Sequence, residues 1–342
     1  MKFLIIGSTI EGGLSQSLGT ALLNTGCSVF YFDDRYKNDI SICEKIVTRF
    51  FWKQIAKNIQ NNLINKISIV KPNAIIVLKG FYLNKKTYIK IKSQYPNIII
   101  FHFHPDNPYN TWHFGNSNNW IRESIPYIDI HLTWGKFLME RLKKNGAKKV
   151  IYFPFGYDRV LHKKIEIEKH EYSRFQSDIA FIGSWDRERE AWLKELVNYD
   201  IKIWGNGWEK ASKSIKKRWQ GIEAVGSNFY KVCNSSKINL NIIRKQNIPG
   251  VNMRTFEITS SGGFMLATRT VEQSAIFEEA IDCDYFGNSE ELKTKINFYL
   301  NNPTLIDLMR KRAKIKVIKM HSYEERAKLL KQICYKTLSN KF

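Results

Sequence analysis

The segment from Phe101 to Tyr109 groups two histidines and an aspartate at the end of an apolar run. Because His102 and His104 are two residues apart, a strand would present both side chains on one face. Asp106 follows directly, and a partly desolvated carboxylate suits a general base that takes a proton from an attacking hydroxyl. An aspartate at this position also caps turns, so the segment alone leaves both roles open. A metal pair formed by the histidines is less favoured, because no third ligand is near them in the sequence.

Two further strand ends in the first half carry groups that suit an acceptor or a sugar. Lys79 and Gly80 follow an apolar run, where the lysine meets a phosphate or is an ordinary surface residue. Gly12 and Gly13 lie in the segment GSTIEGG, whose spacing differs from the G-x-G-x-x-G of dinucleotide-binding loops, although Asp33 ends the second strand where a ribose-binding acid would lie. We interpret these glycines as a turn between strand and helix, with contact to a sugar or acceptor as the alternative.

The second half has two strand ends with glycine turns. In the run FIGSWDRER, the turn at Gly183 and Ser184 precedes Arg187 and Arg189. Such a turn exposes backbone N–H groups, and arginine binds phosphate through two parallel hydrogen bonds. In the run IWGNGW, Gly205 permits a close approach of the backbone to a flat ring.

A third loop in the second half enters a helix from a Pro-Gly turn. Asn252 marks the start of this helix, whose electropositive end suits a diphosphate. Arg254 lies in the first turn, and Glu257 follows about one turn later, within reach of ribose hydroxyls. Three loops of this kind in one half of the chain predict a nucleotide site. Asp282 and Asp284 match a D-x-D metal pattern, but we interpret them as solvated carboxylates at a sheet edge.

Alternating strands and helices must position these groups. Short apolar runs such as residues 74–78 and 98–103 are typical of strands buried on both faces of a parallel sheet. Amphipathic stretches separate them, which predicts an α/β protein with doubly wound, Rossmann-like domains. The alternation stops in a charged stretch and then begins again. We therefore predict an N-terminal domain at 1–158, a linker at 159–176 and a C-terminal domain at 177–320.

Composition limits the class of protein. The chain has 342 residues and a net charge of +22, and its 43% hydrophobic content excludes disordered and fibrous classes. Its apolar runs are shorter than a membrane span, and the N-terminal run is interpreted as a strand and not as a signal peptide. Five scattered cysteines without a C-x-x-C motif indicate reduced thiols in the cytoplasm. The basic excess favours nucleic acid, an anionic membrane surface or a phosphorylated substrate.

The run from Asn252 to Leu266, NMRTFEITSSGGFML, closely resembles the signature of the CgeB-like, spore-maturation type group of GT-B glycosyltransferases, with a group 1-like C-terminal domain. The Ile-Gly-Ser turn followed by arginine at 182–189 and the Gly-x-Gly-Trp strand end at 205–208 are similar to that group. So is the tail from Ser289 to Arg326. In the first half, the segments LKG at 78–80, PDNP at 105–108 and FPFG at 153–156 lie where that group has similar segments. The resemblance covers most of the chain.

The resemblance implies a GT-B fold, with an acceptor on the first domain, a nucleotide-diphosphate sugar on the second and reaction in the cleft. Residues 321–342 would cross back to the first domain. Arg187 or Arg189 would hold the donor phosphate, and Glu257 would bind the ribose. Asp106 falls where a phage DNA β-glucosyltransferase of similar layout has its base. Retaining relatives carry Glu-x7-Glu, and the partner position here is Pro249. We therefore expect inversion, with no metal or cofactor required besides the nucleotide sugar.

Three functions stay open. The first is a bacterial, cytoplasmic transferase of surface polysaccharide biosynthesis that acts on an anionic or lipid-linked glycan acceptor. It would lie at the inner face of the membrane, which residues 50–67 and 210–219 would contact. The second is a DNA-modifying glycosyltransferase, whose basic surface would bind backbone phosphates. The third is a nucleotide-sugar-binding protein without catalysis. The basic run 309–316 is interpreted as a solvated helix face.

Overall fold

The computed structural model describes residues 1–10, 12–34, 42–110 and 117–339, without the side chains of residues 42–49. The chain forms two compact units. Unit 1 contains Met1–Pro154 and Glu324–Phe342, and unit 2 contains Phe155–Tyr323. In the described residues, no helix is both long and apolar enough to cross a membrane.

Unit 1 contains a six-stranded sheet in which all strands are parallel and in the order β2-β1-β3-β4-β5-β6. Its strands are β1 (Lys2–Ile6), β2 (Ser28–Phe32), β3 (Ala74–Leu78), β4 (Ile99–Phe103), β5 (Ile130–Thr133) and β6 (Val150–Tyr152). Its helices are α1 (Leu14–Asn24), α2 (Ile42–Val70), α3 (Lys85–Gln94), α4 (Asn119–Ser124) and α5 (Phe137–Lys144). Strands β3 and β4 are buried along their whole length, as continuous apolar runs require.

Unit 2 contains a five-stranded parallel sheet in the order β11-β10-β9-β7-β8. Its strands are β7 (Ser177–Ile182), β8 (Ile201–Trp204), β9 (Ser236–Asn241), β10 (Met265–Thr268) and β11 (Asp284–Phe286). Its helices are α6 (Lys169–Phe175), α7 (Arg187–Lys194), α8 (Lys213–Lys216), α9 (Ser227–Ser235), α10 (Arg254–Ser261), α11 (Val271–Ser274), α12 (Ser289–Leu300) and α13 (Pro303–Met320). The predicted class, two Rossmann-like parallel-sheet domains, is confirmed.

The chain passes into unit 2 after Pro154, and residues 169–175, which the charge pattern assigns to a linker, form α6. Phe175 is buried at the end of this helix and stacks on Trp204, with ring centroids 5.5 Å apart. One apolar ring thus anchors an otherwise charged helix. The last helix, α14 (Tyr323–Ser339), belongs to unit 1 from Glu324 onward, and its Arg326 donates a 2.8 Å hydrogen bond to the Pro154 carbonyl oxygen.

Four cysteines whose side chains the structure describes are free and buried: Cys27, Cys233, Cys283 and Cys334. Burial raises the pKa of the Cys283 and Cys334 thiols to about 12, which keeps them protonated. This agrees with the expectation of reduced thiols. The side chain of Cys43 lies outside the described residues.

Candidate functional site

The turn between β7 and α7, residues 182–186, is the centre of the candidate site in unit 2. Asp186 caps α7, because its Oδ1 accepts a 2.9 Å hydrogen bond from the Arg189 backbone N–H. The Arg189 guanidinium folds back and donates through Nη1 to the Ser184 carbonyl oxygen at 2.9 Å. Its buried Nε lies 3.5 Å from Asp186 Oδ2, so the aspartate that caps α7 also pairs with the guanidinium. The turn therefore holds a preformed arginine.

Two more arginines reach the same turn from other elements. Arg254, the first residue of α10, donates from Nε to the Ile182 carbonyl oxygen at 3.1 Å. Arg244, which follows β9, donates from Nε to Asp186 Oδ2 at 2.7 Å. Burial, and then the positive charge of Arg244, lower the pKa of Arg189 to about 10. Arg189 still stays charged at neutral pH, and the arginine cluster (Arg189, Arg244, Arg254) has the chemistry of an anion site.

Glu257 is buried beside the arginine cluster, with 5% of its surface exposed. Its Oε2 accepts a hydrogen bond from Arg254 Nη1, and its Oε1 lies 4.0 Å from His162 Nε2. The Arg254 guanidinium also lies over the Phe229 ring, 4.8 Å from its centroid. The carboxylate expected to bind ribose therefore holds an arginine in this structure, and a ligand hydroxyl would compete with that ion pair.

Gly205 lies in close contact with the backbone of Gly183, in the neighbouring strand-end loop. Its φ is +138°, and a Cβ there would lie 2.2 Å from the Gly183 carbonyl oxygen. Only glycine lets these two strand-end loops pass so closely. Two indoles tie the loops together, since Trp208 Nε1 donates to the Gly183 oxygen and Trp219 Nε1 to the Gly205 oxygen, each at 2.8 Å.

Asn252 and Arg187 both lie at the start of a helix, outside the arginine cluster. Asn252 Oδ1 accepts from the Thr255 backbone N–H at 3.2 Å, and its Nδ2 donates to Asn241 Oδ1 at 2.8 Å. Its side chain thus holds the start of α10. Arg187 is exposed in the first turn of α7. The residues that the structure brings together are Gly183, Ser184, Arg189, Arg254 and Glu257; Arg244 joins them, and no local motif pointed to it.

In unit 1, the ends of β3 and β4 bring Lys79 and Asp106 together. Lys79 Nζ lies 3.9 Å from Asp106 Oδ2, and about a third of each side chain is exposed (32% and 33%). The backbone of Lys79 is left-handed, with φ +73°, which is uncommon for a residue with a side chain and occurs at functional turns. A hydrogen bond of 3.0 Å joins His102 Nε2 to the Lys79 carbonyl oxygen, and His104 Nδ1 accepts from the Asp106 backbone N–H at 3.2 Å.

His131 completes a group of buried histidines in unit 1. It lies on β5, its Nε2 is hydrogen-bonded to the Ile125 carbonyl oxygen at 3.0 Å, and its ring meets that of His102 edge-on at 5.3 Å. Burial lowers the pKa of His102 to about 4 and that of His131 to about 3, so both are neutral at pH 7. With His104 they line a small pocket. In the described part of the chain, no three or more histidine, cysteine or acidic side chains are arranged to hold a metal ion.

The loop after β1 is braced by the end of β2. Thr9 Oγ1 donates to Asp33 Oδ2 at 2.7 Å, so the aspartate considered as a ribose ligand supports the loop. Gly12 has a left-handed backbone with φ +74°. The Gly13 N–H donates to the Ile10 carbonyl oxygen at 3.0 Å as α1 begins.

The interpretation of Asp282 and Asp284 as solvated carboxylates is wrong. β11 is an edge strand, but only 7% and 4% of these two residues are exposed. Asp284 accepts hydrogen bonds from Lys295 and Tyr299, each at 2.7 Å, and Asp282 accepts one from Lys316 at 2.7 Å. Helices α12 and α13 supply these partners and so bury the carboxylates.

Comparison with known proteins agrees with this architecture. Residues 187–332, less than half of the chain, match the model of a family described as glycosyl transferase-like. The structure of sucrose-phosphate synthase from Thermosynechococcus elongatus superposes with a TM-score of 0.73 and 12% identity, covering 100% of both chains. A glycosyltransferase from Rickettsia africae gives a TM-score of 0.71 and 13% identity, covering 99% of each chain. Anabaena HepE in complex with UDP gives 0.64 and 11%, covering 99% of this chain and 100% of HepE.

No curated protein matches the chain. At these identities the structural likeness shows the fold, which is that of GT-B glycosyltransferases. The match over 187–332, together with this fold, supports a nucleotide-sugar-dependent glycosyltransferase. The CgeB-like subtype stays a prediction.

Proposed function

We propose that the protein transfers a sugar from a nucleoside diphosphate sugar to an acceptor hydroxyl. The observation that carries this proposal is the arginine cluster at the turn 182–186. When the bond from sugar to diphosphate breaks, negative charge grows on the leaving oxygen. Fixed positive charge at that place stabilises the transition state more than the ground state. The arginines would supply the charge that a metal ion supplies in other transferases.

The proposed donor nucleotide is UDP. Anabaena HepE was crystallised with UDP, and the UDP-GlcNAc 2-epimerase from Neisseria meningitidis, whose structure is bound to UDP-GlcNAc, has a TM-score of 0.57 with this chain. A diphosphate would draw the Arg254 guanidinium away from Glu257. This would free one carboxylate oxygen for the ribose hydroxyls, so that the Arg254–Glu257 ion pair and the ribose contact would compete for the same oxygen.

Asp106 is the proposed general base. It lies just beyond β4 and is partly exposed, so an acceptor hydroxyl can reach it. The bond that forms joins the acceptor oxygen to C1 of the sugar, the bond to the diphosphate breaks, and the acceptor proton passes to Asp106. Lys79, with His104 and the Gly12–Gly13 loop, would contact the acceptor or the sugar. Pro249 at the first position of the retaining pair supports inversion.

The proposed acceptor is an anionic or lipid-linked glycan of a surface polysaccharide, because the charge of +22 exceeds what a donor diphosphate needs. The same charge supports DNA as the second candidate acceptor. Transfer of a radiolabelled sugar from a UDP-sugar to DNA would favour DNA as the acceptor. A protein that binds UDP-sugars but neither hydrolyses nor transfers them would favour binding without catalysis.

The test begins with a panel of nucleotide sugars, since a ligand bound only by the folded protein raises its melting temperature. Failure of every nucleotide to shift it would overturn the donor site. Asp106→Asn is then expected to abolish transfer and to leave donor affinity nearly unchanged. Asp178→Asn is the matched control, because the Asp178 side chain is 32% exposed, against 33% for Asp106, and is also paired with a lysine. Loss of both donor binding and transfer in Asp106→Asn, or of neither, would refute the assignment.

A further inference from the structure

Helix α13 has an inner face that belongs to the core of unit 2. Ile306, Met309, Ala313 and Val317 are buried at spacings of three and four residues, and the helix packs against α10. At 3.6 residues per turn, these side chains form one stripe along the helix. The opposite side of α13 is therefore its solvent-facing surface.

This outer face contains aliphatic side chains where a solvated helix would have polar ones. Ile315 is 72% exposed and lies almost opposite the buried stripe. Leu308, two turns earlier, is 45% exposed, and Ile318 is 42% exposed. Single exposed aliphatic residues are common, but three on one helix face form a patch. The interpretation of this run as a plain solvated face does not account for them.

The same face carries unbalanced positive charge. Lys311, Arg312 and Lys319 are exposed, and none of them is ion-paired to a carboxylate in the described residues. Burial, followed by the nearby cations Lys164 and Arg310, lowers the pKa of Lys314. Within α13, Asp307 is the single acidic residue, and it is paired with Arg310 at 2.9 Å.

We propose that the outer face of α13 (Leu308, Lys311, Arg312, Ile315, Ile318, Lys319) docks on an anionic lipid surface. Helices that lie in a membrane interface place aliphatic side chains at the boundary of headgroups and acyl chains, and their cations meet the anionic headgroups. DNA is the less favoured partner. Its backbone phosphates would bind the cations only, and the exposed aliphatic side chains would find no apolar surface to contact. This inference goes beyond the proposed transfer reaction, since lipid docking and chemistry are separable.

The two segments that composition alone indicates for membrane contact are less suited. In the segment 210–219, Trp219 packs on the core of unit 2, so its ring is turned inward. Phe50 and Phe51 of α2 are 78% and 62% exposed, and they form the rival contact in unit 1. The test therefore has to separate α13 from α2.

Flotation of the full chain with vesicles of phosphatidylcholine, or of an equimolar mixture with phosphatidylglycerol, measures docking. Association with the mixed vesicles only is expected. Lys311→Gln/Arg312→Gln/Lys319→Gln should lower partitioning about 100-fold, at about 1 kcal/mol per cation. Ile315→Ser/Ile318→Ser should lower it about 10-fold by removing buried aliphatic area, and should leave binding to duplex DNA unchanged.

A control variant makes the same charge change elsewhere, at the ion-paired lysines Lys143, Lys293 and Lys328, each replaced by Gln. It should partition like the wild type, and all variants should keep the thermal shift given by the donor. Equal losses in both triple variants would reduce the effect to net charge and overturn the proposal. Failure of the wild type to float, or a loss confined to Phe50→Ser/Phe51→Ser, would overturn it too.

Discussion

The two buried histidines of unit 1 make its stability depend on pH. His102 and His131 are 5% and 1% exposed, and burial holds their pKa values at about 4 and about 3. In the unfolded chain a histidine titrates near pKa 6.5. Below that pH the two histidines therefore bind protons in the unfolded state but not in the folded state. Stability is complete above about pH 7, and it falls as the pH drops from there toward 4.

The size of the loss follows from linkage. Because both folded pKa values lie below 5, the loss between pH 7 and pH 5 is set by the unfolded histidines, and it amounts to about 2 kcal/mol for each. His102 and His131 together are expected to cost about 4 kcal/mol over this interval, a large part of the stability of an ordinary domain. The urea dependence of unfolding at the two pH values measures the total. Hydrogen exchange of peptides from β4 and β5 locates it in unit 1.

Glutamine variants test the cause. Gln at position 102 or 131 can keep a hydrogen bond to the carbonyl oxygen of Lys79 or Ile125 but cannot take up a proton. His102→Gln and His131→Gln should each remove about half of the loss between pH 7 and pH 5, and the double variant nearly all of it. His170→Gln is the control, because the His170 side chain is 76% exposed and should leave the loss unchanged. If the double variant kept the full pH dependence, the reasoning would be refuted.

Other local contacts give three further expected outcomes. Gly205→Ala should lower the melting temperature more than Gly221→Ala in calorimetry, because both have positive φ but only the first Cβ meets another loop, at 2.2 Å; equal shifts would refute the clash. Asp284→Asn should cost about 3 kcal/mol in urea unfolding, because its two partners on α12 lose their buried carboxylate. Arg254→Gln should weaken UDP binding on the order of tenfold in calorimetric titration. A smaller loss than that of Glu257→Gln would contradict its assignment to the diphosphate.

Strands such as β1 and β3 were predictable because each contains a continuous apolar run. Residues 74–78 form β3 as expected, since a strand covered on both faces has no polar alternation. The partners of polar groups were not predictable in the same way. Arg244 and Asp186 are 58 residues apart, and Asp284 meets Tyr299 only because α12 folds over the sheet edge. Local sequence patterns do not show such pairings.

The basic residues of this chain lie in two different environments, one partly buried and one exposed. In the arginine cluster, Arg189 is 14% exposed in its side chain, and Asp186 and Glu257 fix the guanidiniums in advance. Such charges are partly shielded from salt and suit a developing charge at a fixed point. On α13, Lys311 and Lys319 are exposed on flexible stems, so salt screens them and their partner has to be a surface and not a point. The two proposed partners therefore differ in geometry: a small anion held within unit 2 and an extended anionic surface against its outer helix.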